Sequence, residues 1–321
     1  MGQLFLNAAG LFAMIFLGYF LKQLKVLSKA DGSILSRMIL NVTLPAAIIL
    51  NLADMQIQMD ALALILIAVI ITFVQIMTAF FLTKKENDVL RQFSMYCGSG
   101  FNIGNFAIPF AQSFYPLGIP LISLFDMGNS IMLAGGTTIL IEYLIGKRTV
   151  FEPGKIILNL LRSPTFTCYL FMLLIRSFGL SLPQGVIQLV QPIGNANTFL
   201  SMFMIGLFLD FRLPKHAAAT VGKILSLRYG IGLLLFLCFF FLPLPAFLKP
   251  VLCLLVFAPI PLFGVINSVL AGMEEEAVGF VSSISFLISL PLMTLVLILF
   301  GLAKVKENGK QKTSVNECFF A

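Results

Sequence analysis

The stretch Gly98-Ser-Gly-Phe-Asn-Ile-Gly-Asn-Phe-Ala-Ile-Pro109 lies inside a long apolar run yet is full of helix breakers. Pro109 has no N–H to give to a helix ladder, and its ring opposes the carbonyl of Asn105. Gly98, Gly100 and Gly104 loosen the backbone, while the amides of Asn102 and Asn105 can bond freed peptide groups or a ligand. In lipid, interrupted backbone survives only where protein or a water-filled cavity satisfies it. The stretch therefore predicts an opened helix beside a polar site; an ordinary proline kink packed by neighbouring helices is the alternative.

The surrounding composition makes lipid the relevant solvent. Of 321 residues, 59% are hydrophobic and 11% charged, with a mean hydropathy of +1.00. Soluble chains average about 25% charged residues. A water-soluble enzyme, a disordered chain and a disulfide scaffold are excluded, and continuously apolar runs rule out a β-barrel. The prediction is an all-α integral membrane protein. A span needs about 20 apolar residues, which places ten helices at roughly 4–22, 33–53, 61–83, 89–111, 117–146, 156–178, 185–210, 222–243, 247–271 and 276–302. The first span has no basic leader and is followed by Lys22 and Lys25, unlike a cleaved signal peptide.

Lys and Arg concentrate in cytoplasmic loops. The odd-numbered loops and their flanks collect Lys22, Lys25, Lys29 and Arg37; Lys84, Lys85 and Arg91; Lys147, Arg148, Lys155 and Arg162; and Arg212, Lys215, Lys223 and Arg228. The other side holds Arg176, Lys249 and four lysines of the tail, Lys304 to Lys312. This bias puts the odd loops in the cytoplasm and both termini outside, with the tail lysines pulling the other way. The net charge of +7 is thus mostly loop charge meeting anionic lipid, and no nucleic-acid partner is expected.

Shifting the chain by 156 residues lays Asn41–Asp54 on Asn197–Asp210, with Asn41/Asn197, Leu44/Leu200, Ile49/Ile205 and Asp54/Asp210 coinciding. The same shift places Phe101–Asn105 on Phe257–Pro261, a segment carrying Pro259 and Pro261. A repeat of five spans would be inserted upside down, and helix breakers at matched positions point to a secondary transporter with its site near the midplane; chance likeness between apolar helices is the alternative. The expected organisation is a first repeat at 1–146, a cytoplasmic linker at 147–155, a second, inverted repeat at 156–302 and a polar tail at 303–321.

Asn102-Ile-Gly104-Asn-Phe-Ala107-Ile-Pro109 resembles the Asn-x-Gly-x-x-Gly-x-Pro pattern of the auxin efflux carrier family, in its bacterial branch, with Ala107 in place of the second glycine. Asn41 and Pro45 of Asn-Val-Thr-Leu-Pro, and the stretch from Ala258-Pro259 through Ser285, Ser289 and Pro291, are also similar to that family. The resemblance covers nearly the whole chain. It implies two inverted five-helix repeats, the architecture of bile acid–sodium symporters, with broken helices 4 and 9 crossing at Pro109 and at Pro259 or Pro261. It further implies substrate binding beside the crossing and one bundle moving against a scaffold like an elevator. Plant members export auxin and bacterial members are linked to malate or malonate, so an organic anion is the implied substrate.

The expected substrate-binding residues are Asn102, Gly104, Asn105, Pro109, Pro259, Pro261, Asn41 and Asn197. For Asn41 and Asn197, as for Thr43, Thr198 and Ser201, interhelical hydrogen bonds explain the residues about as well. An ionisable group within a span is a functional candidate by default. Asp126, in Phe-Asp126-Met-Gly-Asn129-Ser, could take up H+ or help hold Na+ together with Asn129, or it could brace a neighbouring helix. Asp54 and Asp210 lie at span ends and read as interfacial, and Glu142 reads as solvated.

No Gly-Lys pair is followed by Ser or Thr, so no phosphate loop drives transport. The five cysteines show no Cys-x-x-Cys spacing and His216 stands alone, so no metal, cofactor or enzymatic site is expected. The functional expectation is a secondary transporter of a small organic anion in the cell membrane. An uncoupled facilitator or channel is the alternative, and a homodimer is left open.

Overall fold

The computed structural model describes residues 2–55, 59–147, 152–212 and 217–301. The tail 303–321, His216, Lys215 and Arg148 lie outside the described residues. Every regular element among the described residues is helical. The α-helices are α1 (Gly2–Gln23), α2 (Lys29–Met38), α3 (Leu44–Leu52), α4 (Met59–Leu82), α5 (Asp88–Gly98), α6 (Ile108–Phe114), α7 (Ile119–Ile131), α8 (Thr137–Leu144), α9 (Pro153–Leu161), α10 (Pro164–Ser177), α11 (Gln184–Phe208), α12 (Ala218–Phe241), α13 (Lys249–Leu255), α14 (Leu262–Leu270) and α15 (Glu275–Leu299).

Six of these helices or joined runs are long and apolar enough to cross a membrane: α1, α2–α3, α4, α7–α8, α12 and α15. A seventh is the pair α9 and α10, if it counts as one span. The protein is therefore a multi-pass, all-helical membrane protein. Three of the ten expected spans do not pass this test, and two of them, at 89–111 and 247–271, are cut into short helices. The third, α11, dilutes its apolar face with Gln184, Gln188, Gln191, Asn195 and Asn197.

The stretch expected as one span at 156–178 is not one continuous helix. α9 and α10 meet at 83°. Pro164 opens α10, so Ser163 is forced to extended backbone, and the Ser163 side chain accepts from the Phe166 N–H as the cap.

Three segments widen into π turns. Leu44 N–H reaches back to Ile39 O and Ile108 N–H to Ile103 O, one residue further than in an α-helix. Each of these two turns ends just before a proline, Pro45 or Pro109, whose ring opposes the carbonyl of the asparagine four residues earlier, Asn41 or Asn105. Such widened turns are frequent at functional sites. The third, Met132–Gly136, joins α7 to α8.

Packing sorts the helices into two groups. α11 packs along α1, α2 and α3, and α3 meets α10; α9 lies between the groups, against α10 on one side and α7 and the Met132–Gly136 turn on the other. α4 packs on α5, α7 and α8; α5 on α12 and α14; α15 on α12, α13 and α14. The groups touch where α6 meets α11 and where α7 meets α3 and α10.

Small residues allow the closest approaches within each group, as is usual between helices in lipid. A Cβ on Gly206 would fall 2.0 Å from Ile15 O of α1, and one on Gly128 would fall 2.0 Å from Ile65 O of α4.

Three of the four basic clusters expected on one side are linked through contacts. Lys29 pairs with Asp210 at 2.7 Å, Lys22 donates to Leu209 O, and Lys223 pairs with Glu86 at 2.9 Å. Burial pushes the Asp210 carboxyl up, but its bond from Lys29, the Arg212 N–H and the neighbouring ammonium charges together hold it below the ordinary carboxylate value.

Candidate functional site: a cavity at the crossing of two broken helices

The helix containing the opening stretch ends at Gly98 and resumes as the π turn at Ile103; the later one ends at Leu255 and resumes at Leu262. The two gaps touch, with the Asn102 N–H donating to Pro259 O at 3.0 Å. Gly100 makes the first turn possible, since its φ of +67° is the left-handed conformation that other residues rarely adopt.

Freed peptide groups buried in lipid must find partners, and most of those at the gaps can be traced. Gly100 N–H donates to the Gln75 side chain of α4 at 3.0 Å. Asn129 of α7 clasps the Phe101 peptide, accepting from its N–H at 3.2 Å and donating to its carbonyl at 3.0 Å. Ile260 N–H donates to Ser285 Oγ of α15 at 3.2 Å, and Asn102 Nδ2 donates to Ile260 O at 3.4 Å.

The remaining carbonyls turn to Arg228 of α12. Its Nη1 donates to Cys97 O at 3.0 Å; its Nη2 lies 2.9 Å from Gly100 O, 2.7 Å from Ala258 O and 2.9 Å from Pro259 O.

Residues of both gaps also line a cavity of about 550 Å³, within the range usual for small-molecule sites. Asn41, Asn102, Gly104, Asn105, Asp126, Asn129 and Pro261 all line it. The structure thus gathers seven of the ten expected site residues, drawn from α7 and from three broken stretches, between α2 and α3, between α5 and α6, and between α13 and α14. Pro109 and Pro259 do not line it and act on the backbone instead. Asn197 is buried elsewhere: its Oδ1 accepts from Thr43 at 3.0 Å and its Nδ2 donates to Gln112 at 3.2 Å.

The polar groups in the cavity differ in what they have left to offer. Asp126 is 5% exposed and accepts from Asn129 Nδ2 at 3.0 Å and from Tyr169 O–H at 2.9 Å. It makes no ion pair among the described residues. Asn41 donates to Arg37 O at 2.7 Å. Asn105 is 6% exposed, and its side-chain oxygen has no hydrogen-bond partner among the described residues. The start of the helical run at Ile103, the start of α14 and the start of α10 all border the cavity, with Arg162 at its edge.

Sequence reasoning missed three of these groups. Arg228 was assigned to a cytoplasmic flank, and the structure corrects this: it is 2% exposed and buried within α12. Its position inside the expected span at 222–243 was the available signal, since a charge in a span is costly. Arg162 reaches the cavity only because α9 and α10 bend between Leu161 and Pro164, and Tyr169 had no signal of its own. No group of three or more His, Cys, Asp or Glu that could hold a metal occurs among the described residues.

An uncharacterized transporter of Methanothermobacter thermautotrophicus is 25% identical over 225 residues, which cover 68% of this chain and 72% of that one. The family model described as membrane transport protein matches residues 4–299, from α1 to the end of α15. On that match the chain belongs to the membrane transport protein family, the family of the auxin efflux carriers, and it is a transporter rather than an enzyme.

Proposed function

We propose that the protein is a secondary active transporter that carries a small organic anion, of the carboxylate, auxin-like or dicarboxylate kind, through the cavity at the crossing. The observation that carries this reading is the Asn105 amide, buried in the cavity wall with an unpartnered oxygen. A buried polar group left unpaired costs about 1–3 kcal/mol; this oxygen is an acceptor, so a substrate recovers that cost by donating to it through a hydroxyl or N–H, and not through its carboxylate. Helix starts carry partial positive charge. The starts of the Ile103 run, α14 and α10, with Arg162 beside them, favour an anion there.

The same cavity contains Asp126, and an anion entering beside an ionised carboxylate is repelled. Protonating Asp126 removes the repulsion, so the substrate moves with a proton. Na+ is disfavoured at the crossing because Arg228 already occupies its converging carbonyls.

In this reading α5/α6, α11 and α13/α14 complete ten spans in two inverted five-helix repeats, at 1–146 and 156–302. The 156-residue shift that aligns the two gaps also aligns Asn129 with Ser285, and each reaches from the following span to bond a gap peptide. The group containing α5, α7 and α12–α15 would then slide against the group containing α1–α3, α10 and α11 in alternating access.

The test is uptake of labelled malate, malonate and indole-3-acetate into proteoliposomes under imposed proton or Na+ gradients. Accumulation driven by an inward proton gradient, and lost in Asp126→Asn, is the expected result. Equilibration without accumulation would instead make the protein a facilitator. Unchanged pH and Na+ dependence in the variant would remove Asp126 from the coupling.

A further inference from the structure

Arg228 is a cation buried near the middle of α12, roughly 15 Å along the helix from Ala218 at 1.5 Å per residue. It makes no ion pair among the described residues. A charge at this depth is expensive unless compensated. Its compensation is backbone: the carbonyls of Cys97 and Gly100 at the end of α5, and of Ala258 and Pro259 just past α13, all accept from its two terminal nitrogens.

Each helix C-terminus carries a partial negative charge equivalent to about half an electron. Here Cys97 O belongs to such an end, and the carbonyl dipoles of Gly100, Ala258 and Pro259 add to it, so four converging carbonyls offset the guanidinium charge. The planar fork suits this task, because Nη1 adds Cys97 O to the three carbonyls around Nη2, and four acceptors exceed the three hydrogens of an ammonium. Phe101 adds its ring face, 5.8 Å from the guanidinium carbon.

We propose that Arg228 is a positioning residue of the transport site: a resident cation that joins the carbonyl ends of the two broken helices and ties α12 to their crossing. It does not line the cavity and touches no substrate. Its effect on the site runs through Gly100, whose carbonyl it holds beside the cavity-lining residues Phe101 and Asn102.

The inference takes from the proposed function only that the crossing is the site. Its test therefore reads melting rather than flux, and an error about the substrate leaves it standing. The purified full chain in detergent is melted while a thiol-reactive dye reports exposure of Cys97 and Cys253, which are buried in the folded protein.

Arg228→Ala is expected to melt several degrees below the wild type. Guanidinium ion at concentrations far too low to denature should recover much of that loss in a saturable way. The wild type, whose carbonyls are occupied, should show no such gain, and choline at equal ionic strength should rescue neither protein. An Arg228→Ala protein that melts with the wild type, or guanidinium shifting both proteins alike, overturns the proposal.

If Arg228→Ala does not survive extraction, Arg228→Lys and Arg228→Gln decide it. Lysine keeps the charge with fewer well-aimed donors, and glutamine keeps donors without the charge. The expected melting order is Arg, then Lys, then Gln; Gln at or above Lys overturns the resident-cation role.

Discussion

Asn105 and Asn129 carry the same amide and both line the cavity, but their hydrogen bonding differs. Asn129 makes three bonds, two to the Phe101 peptide and one to Asp126. The Asn105 oxygen makes none among the described residues. Truncating each should therefore separate stability from binding. Asn129→Ala leaves the Phe101 N–H and carbonyl unpaired at about 1–3 kcal/mol per buried group, so both the melting temperature and transport should fall. Asn105→Ala removes no such bond and relieves an unpaired buried oxygen, so it should melt at or above the wild type. It should still weaken uptake of a substrate that carries a hydroxyl or N–H donor by up to about tenfold, the worth of a neutral hydrogen bond. Melting and uptake of the two purified variants check this, and a destabilised Asn105→Ala would mean its oxygen is satisfied within the protein. The sequence marked both residues as polar groups inside apolar runs. It could not rank them, because the difference lies in which peptide groups the two gaps leave bare.

At the scale of elements, the helix ends were largely readable because each has a local cause. Pro45, Pro109 and Pro164 remove donors, and Ser28, Asn87 and Ser163 cap the helices that follow them. The bend between α9 and α10 was also written locally, in Ser163-Pro164, but a continuous apolar pattern across 156–178 masked it. Close helix contacts were not readable, because a glycine in an apolar run looks the same whether or not a partner backbone lies against it. The structure separates these cases. Gly206→Ala and Gly128→Ala would each drive a methyl into a facing carbonyl, 2.0 Å from Ile15 O and Ile65 O respectively. Overpacking of this kind costs typically about 1–3 kcal/mol. A Cβ on Gly230, in the exposed face of α12, meets nothing within 4 Å. Gly230→Ala should be neutral or slightly stabilising, since alanine is favoured over glycine by about 1 kcal/mol within a helix. Thermal melting of the three variants in one detergent tests the contrast, and equal losses in all three would contradict the packing argument.

The whole molecule joins two packed groups through a narrow set of contacts, and that arrangement matters more than any one helix. The Tyr169–Asp126 bond runs from α10 in one group to α7 in the other. The Asp210 N–H, just beyond α11, donates to Ser283 of α15 at 2.7 Å. If the groups slide past one another during transport, these contacts must break and re-form in each cycle. A covalent link across them should stop transport, whereas a link within one group should not. Gly279 of α15 provides the place: a Cβ there would lie 3.6 Å from the Cβ of Asp210, which falls within the 3.5–4.5 Å that a disulfide spans. Gly279→Cys with Asp210→Cys, in a chain whose native cysteines are replaced, should transport when reduced and stop when oxidised. Reductant should restore it. For the control, native Cys97 of α5 lies 3.4 Å, sulfur to oxygen, from Ser268 of α14 in the same group. Ser268→Cys with Cys97 retained should transport equally in both redox states. Because each protein is compared with itself before and after oxidation, the loss of the Lys29–Asp210 pair does not enter the comparison. Flux that persists through the oxidised Gly279–Asp210 link would mean the two groups do not move apart, and a fixed pathway would replace the elevator.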